Sequence, residues 1–195
     1  MKKMSGILGA ALLFGAVPVS AAVQLKVGAN NLLLGATGVV IGKGTYNVDF
    51  VDGSCITVYG ACTQDRFDFK TKADADAAAN ALFTQVLKGR YYSFDPGNIT
   101  GCASTCDIFI ARAIVEGEVE ATVAANRGNR QILGTGYLLP NFSTVTDSGR
   151  TYAKFTLQVP AAVPEPATWA MMLGGFGMIG ATARYRRRSV SITYA

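Results

Sequence analysis

Polar and apolar positions fall into three regimes along the chain. Continuous apolar runs sit near both ends, and between them the apolar residues mostly recur every second position. At the N-terminal end, Lys2 and Lys3 precede an apolar stretch from Ile7 to Val17, followed by the small residues Val19-Ser20-Ala21-Ala22. A short basic segment, a short apolar core and a small-residue site predict a cleaved signal peptide over 1–22, with signal peptidase cutting after Ala21 or Ala22. At the other end, Ala167 to Ala183 holds no charge and only Thr168 and Thr182 as polar residues, before Arg184-Tyr185-Arg186-Arg187-Arg188. Such a run predicts a helix of about 26 Å, near the lower limit for a transmembrane span. The arginines belong on the cytoplasmic side.

Between these ends the alternation predicts strands. Tyr46, Val48 and Phe50 alternate with Asn47 and Asp49, and Asp52-Gly53 makes a turn. Short strands are expected around Cys55 to Tyr59 and around Arg66 to Lys70, the second with Phe67 and Phe69 on one face. Val23 to Gly42 is too rich in Gly and Leu to assign. A change of period marks one helix: Ala75, Ala78, Ala79, Leu82, Phe83 and Val86 follow helical spacing, Thr71 with Asp74 offers a capping box, and Gly89 stops it. Further strands are expected over Asp107 to Val115, around Glu118 to Val123, over Gln131 to Leu139 after the turn Asn126-Arg127-Gly128-Asn129, and from Tyr152 to Val159. The predicted fold is mainly β with one helix (α+β), an antiparallel sheet or sandwich covered by the helix. The domain limits are a β-rich exported body over 23–160 and a linker, tail and span over 161–195.

Charge changes little once it is divided. The chain carries a formal +5. Lys2, Lys3 and the arginines at 184, 186, 187 and 188 lie outside the body, which balances to zero. No basic footprint for nucleic acid remains on the body.

The four cysteines are Cys55, Cys62, Cys102 and Cys106. In an oxidising compartment they read as two disulfides, of which three pairings are open. Cys55–Cys62 with Cys102–Cys106 is favoured because each pair brackets a loop; a four-thiolate zinc site is the weaker rival.

Catalytic chemistry finds little support. The chain has no histidine, which removes a Ser-His-Asp triad, a Cys-His pair and any histidine metal site; Ser54 has no visible base. Glu116, Glu118 and Glu120 would line one strand face, with Arg112 nearby, and could bind calcium or supply a carboxylate pair for glycoside hydrolysis. A solvated strand face explains the row better, and Asp65 and Asp68, flanking Arg66, read likewise as surface charges. The expectation is therefore no enzyme, no cofactor and no metal. Tyr91, Tyr92 and Phe94 lie beside Asp95-Pro96-Gly97; on a loop they could stack on sugar rings, while burial in an edge strand is the preferred reading.

The C-terminal pattern resembles the PEP-CTERM sorting signal of exported bacterial proteins. The resemblance rests on Pro164-Glu165-Pro166, then Trp169 and the apolar run, then Arg184, Arg186, Arg187 and Arg188, with Ser189 to Ala195 as an unusual extension. It implies processing by a membrane exosortase in a Gram-negative host. It also implies periplasmic-side anchoring at the inner membrane before release to the cell surface or matrix. Tyr46 to Cys55, Phe67, Phe69 and the alanine-rich helix resemble uncharacterised PEP-CTERM exported proteins, which bring no activity with them. The expected role is a non-enzymatic structural or adhesive component of the surface or biofilm matrix. The alternative is a carbohydrate-binding module partnered with extracellular polysaccharide.

Overall fold

The computed structural model describes residues 22–159 and 166–187. The predicted signal peptide lies outside the described residues except for Ala22. The chain divides into two compact units between Gln158 and Val159.

The first unit is built on one seven-stranded sheet: β1 (Gln24–Val27), β2 (Leu33–Ile41), β3 (Gly44–Val51), β4 (Cys106–Val115), β5 (Glu118–Asn126), β6 (Gln131–Leu138) and β7 (Arg150–Leu157). Their spatial order is β1-β2-β3-β7-β4-β5-β6. The hairpins are antiparallel, but β7 enters the middle of the sheet and pairs parallel to β4 over Asp107↔Arg150 to Phe109↔Tyr152. The sheet is therefore mixed, which corrects the antiparallel expectation. Period-two alternation reports which residues face a core; it carries no information about which strand lies alongside, so the insertion of β7 left no trace in it.

Each face of the sheet has its own core. On one face Val48, Phe50, Ile108, Ile110, Ala124, Ala153 and Phe155 are buried. They lie beneath α2 (Lys72–Ala81), which continues as one π-helical stretch over Leu82–Val86. α2 begins where the sequence predicts: Thr71 Oγ1 accepts from the Asp74 amide and donates to Asp74 Oδ2. Ala75, Ala78, Ala79 and Leu82 are fully buried, their small volumes letting the helix approach the sheet.

The opposite core holds Phe109, Val119, Ala121, Val123 and Tyr152 with Cys55, Val58, Tyr59 and Phe67. Here the structure corrects two expected strands. Cys55–Tyr59 is a short helix, α1, because Ser54 caps it by accepting the Thr57 amide at 3.2 Å. Its buried residues Cys55, Val58 and Tyr59 follow helical spacing and outweigh the strand preference of Ile56, Thr57 and Val58. The 66–70 segment joins no ladder. Phe67 packs on Tyr59 in one core, while Phe69 packs on Tyr46 and Phe155 in the other. Between them the Asp68 carboxylate accepts the Phe155 amide at 2.8 Å, on β7 beyond its short pairing with β4. The segment thus links the two faces where these strands part.

The described body holds further helical turns besides α2, correcting the single-helix expectation; one, α3 (Arg90–Phe94), carries the aromatic cluster. The second unit contains α4 (Pro166–Arg187). Its exposed residues include Met171, Leu173, Phe176 and Ile179. Among the described residues no helix is long and apolar enough to cross a membrane. The run expected over 167–183 is helical throughout, with Gly174, Gly175, Gly177 and Gly180 diluting its apolarity.

Candidate functional site

The expected functional residues are spread over four places. The acidic row is broken at its first member. Glu116 adopts φ 52° beside Gly117 in the β4–β5 turn, so it leaves the strand. Glu120 stays on β5 and is occupied: Arg112 Nη2 approaches its Oε1 at 2.6 Å and the Tyr137 hydroxyl donates to the same oxygen at 3.1 Å. Arg112 reaches it from a bulge between Ala111 and Ala113; such an irregularity redirects a side chain. Beside this pair, Thr122 Oγ1 donates to Asp76 Oδ1 at 2.8 Å and Lys72 binds the same carboxylate. Burial raises the Asp76 pKa, but the Lys72 and Thr122 bonds, with Arg112 nearby, win and leave it lowered. The cluster ties α2 to the sheet. It does not present two free carboxylates across an open cleft.

The aromatic cluster is divided by α3. Tyr92 is buried and its hydroxyl donates to the Asn31 carbonyl at 3.3 Å. Burial, then Tyr91, pushes its pKa up. Asn126, wholly buried, donates to the Tyr92 carbonyl at 2.8 Å. Tyr91 and Phe94 are exposed, but the Tyr91 ring stands at 87° to that of Tyr92. The three do not form a common flat platform.

The cysteines join as Cys55–Cys62 and Cys102–Cys106, with Cα separations of 5.4 and 5.1 Å. The first closes the loop after α1; the second ties the approach to β4. Ser54 serves as the α1 cap, and Asp65 is an exposed surface residue.

A groove lies between the β2–β3 hairpin and the start of α2, with a volume of about 460 Å³. It is lined by Tyr46, Phe69, Lys43, Asp68, Lys70 and Asp74 among others. Sequence reasoning missed it because Lys43 and Tyr46 are distant in the chain from Asp74. The available signals were the turn at Gly42-Lys43 and the Phe69 aromatic just before the helix cap.

In the tail, Pro166 opens α4, a position that suits proline because its missing amide would be unpaired there anyway. Trp169 and Arg184 are exposed. Pro164, Glu165 and Arg188 lie outside the described residues, and Arg186 and Arg187 fall within the helix. Residues 162–188 match the model of the PEP-CTERM protein-sorting motif. The chain carries a PEP-CTERM sorting signal. That signal marks an exported substrate of an exosortase and implies membrane anchoring through the C-terminus in a Gram-negative bacterium. No curated protein and no solved structure matches the chain.

Proposed function

We propose that the body is a non-enzymatic structural or adhesive component of the cell surface or extracellular matrix. In this reading it is freed from the inner membrane by signal peptidase at one end and exosortase at the other. The observation that carries this reading is the PEP-CTERM motif at 162–188, attached to a compact body with two disulfides. Disulfides at these positions suit a protein working in an oxidising space. The balanced charge and the pairing of Glu120 with Arg112 favour scaffolding over hydrolysis.

A second reading, a carbohydrate-binding module for extracellular polysaccharide, is favoured by the groove beside Tyr46 and Phe69. Fractionation tests the principal reading. A tagged chain expressed in an exosortase-bearing host should be recovered with the extracellular matrix and be depleted from the inner membrane. Retention in the inner membrane, or free release into the medium without matrix association, would overturn it.

A further inference from the structure

The hairpin groove has the makings of a ligand site apart from the tail. Its wall is aromatic: Tyr46 and Phe69 line it with ring centroids 5.7 Å apart, and the buried Phe155 backs the Tyr46 ring at 6.4 Å. Gly44 makes this wall possible, since a Cβ there would stand 2.7 Å from Tyr46 Cε2. At the hairpin tip, Gly42 takes φ 57° and has open space where a side chain would be.

The polar groups around this wall are held in place. Asp68 Oδ2 is fixed by the Phe155 amide at 2.8 Å. The Lys70 ammonium is engaged by the carbonyls of Gln64, Asp65 and Phe67. Asp74 Oδ2 accepts the Thr71 hydroxyl at 2.7 Å. Each of these carboxylates has a second oxygen able to accept from a ligand. Among the described residues neither the Tyr46 hydroxyl nor the Lys43 ammonium has a hydrogen-bonded or ionic partner.

These features select a chemistry. The lining charges balance, two lysines against two aspartates, so the groove does not favour an ion of either sign. An aromatic wall offers a face for C–H groups, while carboxylate oxygens accept from hydroxyls and an ammonium donates to them. The volume lies within the span of small-molecule clefts, about 300–1,000 Å³. We propose that this groove is a binding subsite for a neutral, polyhydroxylated sugar chain, with Tyr46 stacking on a ring and Asp68, Asp74 and Lys43 bonding its hydroxyls. The assignment rests on and deepens the carbohydrate-binding reading and is independent of the matrix reading; the groove binds sugar or fails to wherever the chain finally resides.

The test is calorimetric titration of the full chain in mild detergent with maltohexaose, cellohexaose, mannohexaose and, as the acidic control, oligogalacturonate. At least one neutral oligosaccharide should bind saturably. Tyr46→Leu and Asp74→Asn should each weaken it by about tenfold, and Lys43→Ala should weaken it measurably. Tyr91→Ala, at α3, should leave it unchanged. Lys43 and Asp74 are exposed, so those two variants keep the test decisive if Tyr46→Leu does not fold. The proposal is overturned by no saturable binding, by binding of oligogalacturonate alone, by undiminished binding in the Lys43 and Asp74 variants, or by loss in Tyr91→Ala. A chain that binds sugar but stays in the inner membrane sinks the matrix reading and leaves the groove standing.

Discussion

Removing the Arg112 guanidinium tests most sharply whether the acidic row is structural. Arg112 is 8% exposed and its ion-pair contact with Glu120 is 2.6 Å. Breaking a buried pair by deleting one partner costs about 3–5 kcal/mol, because the remaining charge is stranded. Two features reduce that loss here. The Glu120 side chain keeps 16% exposure, and the Tyr137 hydroxyl still donates to it. The expected cost of Arg112→Met is therefore about 3 kcal/mol, read as a lowered midpoint in urea unfolding at neutral pH. Glu120→Leu alone should cost a similar amount by stranding the arginine. The double variant removes both charges and should recover at least half of either loss, since apolar replacement of a buried pair is often near neutral. Small, additive losses below about 1 kcal/mol would refute this reasoning. They would mean that the carboxylate is solvated and free for chemistry.

Other outcomes follow from the same structure. Replacing Cys55 and Cys62 by serine should cost about 2 kcal/mol or more, measured by denaturant unfolding, because Cys55 is fully buried. Burial raises the Asp68 carboxyl above 3.8, against the pull of the Phe155 amide, Lys154 and Lys70. Its contribution should therefore be fully present below the ordinary value and be lost as pH rises through the raised one. Asp68→Asn, which keeps an acceptor for the Phe155 amide, should flatten that slope in a series of melts. Gly35→Ala should destabilise by about 1–3 kcal/mol, since at φ 153° its Cβ would stand 2.1 Å from the Val48 carbonyl oxygen; unchanged thermal stability would contradict the close approach of β2 and β3.

Much of the architecture was legible because the relevant forces act locally. The Thr71 cap, the small-residue face of Ala75, Ala78 and Ala79, and the alternation in β3, β5 and β7 all appear in short windows of sequence. What stayed hidden depends on distant partners. Cys55 to Tyr59 carries both β-branched residues and a helical spacing of buried positions; the second core beneath Phe109 and Tyr152 decided between them. Phe67 and Phe69 have the spacing of a strand face, yet they enter different cores because Asp68 bonds to β7 between them. Glu116 and Glu120 differ in role because a left-handed turn takes one out of the strand and a bulge brings Arg112 to the other. In the tail the motif was plain, because its Pro-Glu-Pro, apolar run and arginines are contiguous in the sequence.

The most direct test of the sorting assignment is the intact mass of the chain recovered from outside the cell, compared with a Pro164→Ala/Glu165→Ala/Pro166→Ala variant. The account predicts a wild-type chain shortened at both ends, with the C-terminal cut at or near Pro164-Glu165-Pro166, and a variant that keeps α4 and stays with the membrane. Wild-type and variant chains leaving the cell with the same uncut C-terminus would contradict it.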